Sequence, residues 1–324
     1  MNWKICLEGL KRALIKNKYM ETYNIEADEN WTDKRVDKGL ADYFDNYSRS
    51  FLKKLLEDGN ILVNDKKAKP SLKIASGDRI DITIPSIASV EIEPENIPLD
   101  IVYEDEDIII VNKPKGMVVH PSAGHYTHTV VNAVMFHCKE HLSGINGVMR
   151  PGIVHRIDMD TTGAIVICKN DMAHQSLADQ LKEHSITRKY RALVHGNLKE
   201  DEGTVEGPIG RHSTDRKKMA INYKNGKPAV THYKVLERFG AYTFIECQLE
   251  TGRTHQIRVH MASIGHPLVG DITYGPAKCP FKHLQGQCLH AMVLGFVHPR
   301  TNEYIEFSAP LPEYFTDLLE NLRK

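Results

Sequence analysis

The polar run His155-Arg156-Ile157-Asp158-Met159-Asp160-Thr161-Thr162-Gly163 stands between two apolar, strand-like segments, Gly152 to Val154 and Ala164 to Cys168. An acid placed this way is either an exposed turn aspartate or a carboxylate presented into a cleft, and composition alone favours the turn. The neighbours shift that balance. Arg156 lies two residues before Asp158, and a second dense polar cluster, Thr251-Gly252-Arg253-Thr254-His255-Gln256-Ile257-Arg258-Val259-His260, could bring a further guanidinium close. A nearby cation favours the ionised carboxylate, and an ionised carboxylate can act as a nucleophile. Asp158 and Asp160 would share one side of an extended segment, which is also how a hydrolase could pair two carboxylates. Cys279, His283, Cys288 and His290 have spacings that a zinc site could use, but Cys-x3-His followed by Cys-x-His is not a structural-zinc pattern, so core thiols are the preferred reading. The glycines form no dinucleotide-binding or phosphate-loop string, and no histidines form an HExxH pair.

These residues sit in a chain of 324 residues, a length that suggests two or three domains. With 41% hydrophobic and 26% charged residues the composition is that of a globular protein. No stretch approaches the ~20 apolar residues of a membrane span, and the N-terminal segment does not read as a signal peptide, so a cytoplasmic location is expected. The six cysteines read as reduced thiols rather than a disulfide framework. Lys plus Arg equals Asp plus Glu at 42 each, so only the distribution of charge is informative. Residues 87–112 hold eight acids and no Lys or Arg, which argues against contact with nucleic acid there. Residues 209–227 carry Arg211, Arg216, Lys217, Lys218, Lys224 and Lys227 against one acid, Asp215, and read as a basic loop, although a charge run alone is more often a solvated face.

The segment 33–85 has compact punctuation. Val36, Leu40, Tyr43 and Phe44 recur at helical spacing, and a second helix starts at Ser48 as N-cap, with Phe51, Leu52, Leu55 and Leu56 as its stripe and Gly59 as its stop. Its other face carries Arg49, Lys53 and Lys54. A strand, Ile61 to Val63, then an Asn64-Asp65 turn with Lys66 and Lys67, and an alternating strand at Ile80, Ile82 and Ile84 complete the unit. The pattern resembles the αL module of ribosomal protein S-four, a resemblance that implies an RNA grip through phosphate contacts. Residues 1–32 are expected as an N-terminal extension and 86–100, rich in proline and acids, as a linker.

A second domain is expected over 101–324, with strands at Ile108 to Asn112, Tyr190 to Val194, Ala229 to Glu237 and Tyr242 to Leu249. Helices are expected from Thr129 to Phe136, from Asp171, as cap, to Lys182, and from Glu313 to Leu322. Without a strict βαβ rhythm, the fold class is α+β: a small α/β module, then a mixed, largely antiparallel sheet with flanking helices. Here HRIDMDTTG resembles the H-R-L-D-x-x-T-S-G signature of pseudouridine synthases of the RluA/RluD type, with Ile157 for Leu and Thr162 for Ser. Four further segments agree in order: Ile110 to Pro114 with Gly116 and His120-Pro121; Lys189 to Val194; Gly252 to His260 with Gly270-Asp271 and Tyr274-Gly275; and Leu289-His290-Ala291 running to His298-Pro299. The resemblance implies that uracil is detached from its ribose, rotated and rejoined through a ring carbon. It assigns base flipping to Arg156, the reacting carboxylate to Asp158, stacking and a proton-accepting role to Tyr190, and pairing with that carboxylate to Arg253. Asp160 falls at an unspecified position of the signature and reads as a solvated neighbour. A redox-neutral isomerisation needs no cofactor, and none is expected. Large-subunit ribosomal RNA is the first expectation for the substrate and transfer RNA the second, bound by a monomer through Arg49, Lys53, Lys54, Lys66, Lys67, Arg211, Arg216, Lys217 and Lys218. A non-enzymatic ribosome-assembly factor is the rival reading, and its mark would be loss of Asp158, Tyr190 or Arg253, all of which are present.

Overall fold

The computed structural model describes residues 21–44, 47–84, 92–122, 124–139, 141–145, 150–215, 217–281 and 284–324. It divides into two compact units, Met1–Val90 and Glu91–Lys324. No helix among the described residues is long and apolar enough to cross a membrane.

The smaller unit comprises β1 (Glu21–Glu26), α1 (Val36–Tyr43), α2 (Arg49–Asp58), β2 (Ile61–Val63), β3 (Lys66–Lys67) and β4 (Arg79–Ile84). Its sheet runs β1-β4-β2-β3. Ser48 caps α2, its Oγ accepting from the Phe51 N–H at 3.3 Å, and Gly59 ends the helix at φ +83°. Asn64 and Asp65 both have positive φ, the geometry a two-residue hairpin needs to follow strand twist. Val36, Leu40, Leu52, Leu56, Ile61, Ile80 and Ile82 are buried beneath the helices. β1 was expected outside this module, yet it pairs along the whole of β4, from Glu21 opposite Ile84 to Glu26 opposite Arg79. Its Glu-Thr-Tyr-Asn-Ile-Glu sequence is too polar to announce a strand, and the edge of β4 supplies the pairing. Residues 1–19 lie outside the described residues.

The larger unit contains β5 (Ile101–Glu104), β6 (Ile108–Lys113), α3 (Val130–Cys138), β7 (Thr162–Cys168), α4 (Asp171–Lys182), β8 (Thr187–His195) and β9 (Glu202–Glu206). There follow β10 (Ile209–Arg211), β11 (Met219–Ile221), β12 (Val230–Arg238), β13 (Tyr242–Leu249), α5 (Gln256–Ser263), β14 (Leu289–Val297), β15 (Tyr304–Ser308) and α6 (Glu313–Arg323). The main sheet runs β5-β6-β7-β14-β8-β13-β12-β9, with β15 on β14 and a separate β10–β11 ribbon. In this sheet β7–β14 is the parallel pair and the other strand pairings described are antiparallel, in agreement with the expected α+β class. Ile108 to Val111 and Ala164 to Cys168 are buried on both faces of the sheet, which is why they read as unbroken apolar runs rather than alternations.

Three local expectations change. Asn170, not Asp171, caps α4, accepting from the Ala173 N–H at 2.9 Å, while Asp171 accepts from the Ser143 hydroxyl. The basic loop of 209–227 is a paired ribbon, because Ile209, Met219 and Ile221 pack with Val259 of α5 and fix its register. Residues 92–100 are not a free linker: Ile92 is buried, and the Asn132 side chain donates to the Glu93 carbonyl at 2.8 Å. Residues 85–91 lie outside the described residues.

Candidate active site

Strands β7, β14, β8 and β13 are neighbours in the sheet, so the segments attached to them converge on one place. Gly163, Ala291, Tyr190 and Cys247 stand in register across the four strands. At Gly163 the backbone has φ +109°, and a Cβ there would meet the Ala291 carbonyl oxygen at 2.2 Å, so only glycine lets β7 come this close to β14.

The Asp158 loop leads into that glycine and is held from several sides. Lys113, fully buried at the end of β6, donates its three ammonium hydrogens to the carbonyls of Pro114, Met117 and Met159 at 2.8–2.9 Å. The Gly116 N–H donates to the same Met159 carbonyl at 3.0 Å. Gln287 donates to the Thr161 hydroxyl at 3.1 Å. The Thr162 hydroxyl donates to Nδ1 of buried His290, whose Nε2–H is committed to the Ala309 carbonyl. His155 accepts the Val166 N–H through Nε2, and burial pulls its imidazole down to about 3, so it is neutral. The matched segments around Lys113 and His290 therefore serve to fix the backbone that carries Asp158.

Asp158 is 18% exposed at its side chain and lies in a pocket of about 50 Å³. Arg156, Tyr190, Arg253, His255, Leu249 and Leu289 also line it. Its Oδ2 accepts from Arg258 Nη1 at 2.9 Å. Its Oδ1 faces His255 Nε2 at 3.9 Å and has no closer polar partner among the described residues, which leaves that oxygen available for chemistry. Arg258 lies in the first turn of α5, held from behind by the fully buried carboxylate of Asp271 through Nε at 2.7 Å and Nη2 at 3.0 Å. Burial opposes Arg258's charge, but the two carboxylates outweigh it and raise its pKa. His255 has φ +58° at the N-terminal boundary of α5. Its Nδ1 meets the Tyr274 hydroxyl at 2.7 Å, and that hydroxyl accepts the Met219 N–H at 2.8 Å. Burial lowers the His255 pKa, with Asp158 opposing.

The cleft thus gathers Arg156, Asp158, Tyr190 and Arg253, but the pairing expected of Arg253 is made by Arg258. Arg253 precedes the helix and anchors its Nε on the Pro228 carbonyl at 3.0 Å instead. Sequence reading missed α5 because polar and apolar residues alternate along it, Ile257, Val259 and Met261 between Gln256, Arg258 and His260, and all six are buried, so no helical period shows. Asp160 does not join Asp158 on one side. Residues 155–161 form a loop rather than a strand, and Asp160 turns from the pocket toward Gly286. Burial raises the pKa of the Tyr190 phenol, with nearby Arg188 opposing and Asp158 reinforcing.

Of the expected phosphate contacts, Lys54, Lys66 and Lys67 are exposed, and Lys53 makes a 3.6 Å surface pair with Glu57. Arg49 is bonded to the buried carboxylate of Asp37 at 2.8 Å, so its fork is partly engaged within the module. Arg211 ends β10, and Lys217 and Lys218 lie in the segment that joins it to β11, whose Met219 bonds Tyr274 and so connects the ribbon to the site; Arg216 lies outside the described residues. Of the candidate metal set, His283 lies outside the described residues and His290 is committed as above. Burial holds the Cys288 thiol up at about 12, which disfavours the thiolate a metal needs. Asp105, Asp107 and His298 approach one another closely, but Arg300 grips Asp107 through two bonds of 2.6 Å and takes the place of a cation.

The family model of RNA pseudouridylate synthases matches residues 107–263, and that of the S4 domain matches 34–80. An uncharacterized RNA pseudouridine synthase of Bacillus subtilis is 53% identical over 94% of this chain and 99% of its own. This chain belongs to the RNA pseudouridine synthase family. It is an isomerase, with an RNA-binding S4-type module at its N-terminal side. The ribosomal large subunit pseudouridine synthase D of Zymomonas mobilis is 47% identical over 91% of this chain and 95% of its own. Among solved structures, human RNA pseudouridylate synthase domain containing 1 superposes with a TM-score of 0.54 at 28% identity, covering 73% of this chain and 96% of that one.

Proposed function

We propose that this synthase converts uridines of large-subunit ribosomal RNA to pseudouridine in the cytoplasm, acting as a monomer with Asp158 as its reacting carboxylate. The substrate class is supported by the names of relatives such as that of Zymomonas mobilis. The role of Asp158 is carried by one observation: its Oδ2 is tied to Arg258 while Oδ1 opens into the pocket beside Tyr190.

Arg156 is exposed at the mouth of the pocket and pairs with no carboxylate among the described residues, so it is free to occupy the gap left by an extruded base. The flipped nucleoside meets Tyr190 and the apolar side chains of Ile157, Leu249 and Leu289. Cleavage of the bond between the sugar's anomeric carbon and uracil N1 builds positive charge on the sugar, which Asp158 stabilises or traps. Once the ring has turned, its C5 bonds to the sugar and gives up a proton. Tyr190, protonated in the resting site because its pKa is raised, supplies a stacking wall and can take that proton only by passing its own onward.

RNA labelled with tritium at uracil C5 tests the chemistry: wild type releases the label, and Asp158→Asn reduces release to background. Undiminished release from Asp158→Asn would remove the carboxylate from its role. Pseudouridine mapping in RNA from cells with and without the protein tests the substrate, and a site lost from transfer RNA instead of ribosomal RNA would overturn that part.

A further inference from the structure

Beside the Asp158 pocket lies a larger cleft of about 310 Å³ that shares Arg156, Asp158, Tyr190 and Arg253 with it. Arg188 forms its inner wall. This guanidinium is 6% exposed, yet its bond to the Glu250 carbonyl, Nη2 to O at 2.9 Å, is its one hydrogen bond among the described residues. Its Nε is buried without a partner. A buried guanidinium with five donors and one acceptor is costly, and such a group calls for a ligand. The sequence provides the space deliberately close by: Gly252 has no side chain, and a Cβ there would lie 2.6 Å from Arg188 Nη1.

The charge of this cleft is unbalanced. Three arginines line it, and its one carboxylate, Asp158, is already matched by Arg258, which in turn is held by Asp271. Arg253 is close enough to disfavour the charge on Arg188, adding to the effect of burial. An anion between them would relieve both. The Arg253 Nε is fixed on Pro228, which leaves its Nη groups free of partners among the described residues, and Arg156 pairs with nothing described. Planar guanidinium forks suit phosphate oxygens.

We propose that this cleft is a subsite for one RNA backbone phosphate next to the flipped nucleotide, gripped by Arg188 from inside and by Arg156 and Arg253 at the rim. The proposal rests on the reading of the chain as an RNA-modifying enzyme and adds where the strand is clamped. Because the cleft and the Asp158 pocket share a wall, a phosphate here fixes the sugar relative to Oδ1.

The test is a binding scan. Short uridine-containing fragments of large-subunit ribosomal RNA are synthesised with a single neutral methylphosphonate at each position in turn, and Kd is measured for wild type, Arg188→Met and Arg188→Lys. At one position, neutralisation is expected to weaken wild-type binding by about 10- to 100-fold, the range for a hydrogen bond to a charged group. Arg188→Met is expected to bind unmodified RNA more weakly and to lose less from that methylphosphonate than wild type does, because only Arg156 and Arg253 still grip the phosphate, with Arg188→Lys intermediate. The salt dependence of Arg188→Met binding should be shallower by about 0.7 in log–log slope. Additive losses at every position for a folded Arg188→Met, or no sensitive position for wild type, would overturn the subsite, and the second outcome holds even if the variant misfolds because that scan uses wild type alone. Pseudouridine formation by wild type on the unmodified fragments is measured in parallel. Its absence would refute the proposed function, whereas the Kd scan judges the subsite separately.

Discussion

Replacing Arg258 by Gln should be far more damaging to the larger unit than replacing Arg253 by Gln, although the two arginines are five residues apart and line the same pocket. Arg258 is 8% exposed at its side chain and bonds two carboxylates, one of which, Asp271, is fully buried. Removing one partner from a buried pair leaves an uncompensated charge, at a cost of about 3–5 kcal/mol. Asp158, partly exposed, can hydrate and adds less. Arg253→Gln loses one bond to a backbone carbonyl at the surface, about 1 kcal/mol. For a unit of this size each kcal/mol shifts Tm by roughly 2–4 °C, so scanning calorimetry should show Arg258→Gln melting about 6–20 °C lower and Arg253→Gln only about 2–4 °C lower. Adding Asp271→Asn to Arg258→Gln should recover part of the loss, because the stranded charge is then gone. Equal Tm losses for the two single variants, or strictly additive losses for the double variant, would show that Arg258 is not the cation holding this site together.

Burial pulls Lys113 down to about 7 from 10.5, with Asp160 and Asp158 opposing. The unfolded chain then binds more protons than the folded one between these values, so this residue makes stability rise with pH across that window, by up to about 1.4 kcal/mol per pH unit. Lys113→Met should flatten that rise in urea unfolding at pH 7 to 9, and an unchanged pH slope would contradict it. Gly163→Ala should cost more than about 3 kcal/mol or prevent folding, since both the positive φ and the 2.2 Å approach to Ala291 exclude a Cβ; a soluble variant with wild-type Tm would refute the close packing of β7 on β14. Lys54, Lys66 and Lys67 changed together to Gln should leave the circular dichroism spectrum intact and reduce the log–log salt slope of RNA binding by about 2, near 0.7 per lost phosphate contact. An unchanged slope would remove these residues from the interface.

What the chain determined by itself was local. The Ser48 cap and Gly59 stop, the double-sided apolar runs of β6 and β7, and the polar loop holding Asp158 between them depend on neighbours within a few residues, where capping, turn and periodicity rules operate. The order of the matched segments also pointed to the family later shown by its relatives. Tertiary structure decided which arginine meets Asp158, 100 residues away, because only the start of α5 and the buried brace of Asp271 separate Arg258 from Arg253. It likewise turned Asp160 aside, added β1 to the module's sheet and set Lys113 beneath the Met159 carbonyl. A side chain's type states what it can bond. Which partner it finds depends on how distant strands fall into register, and no short window of sequence contains that information.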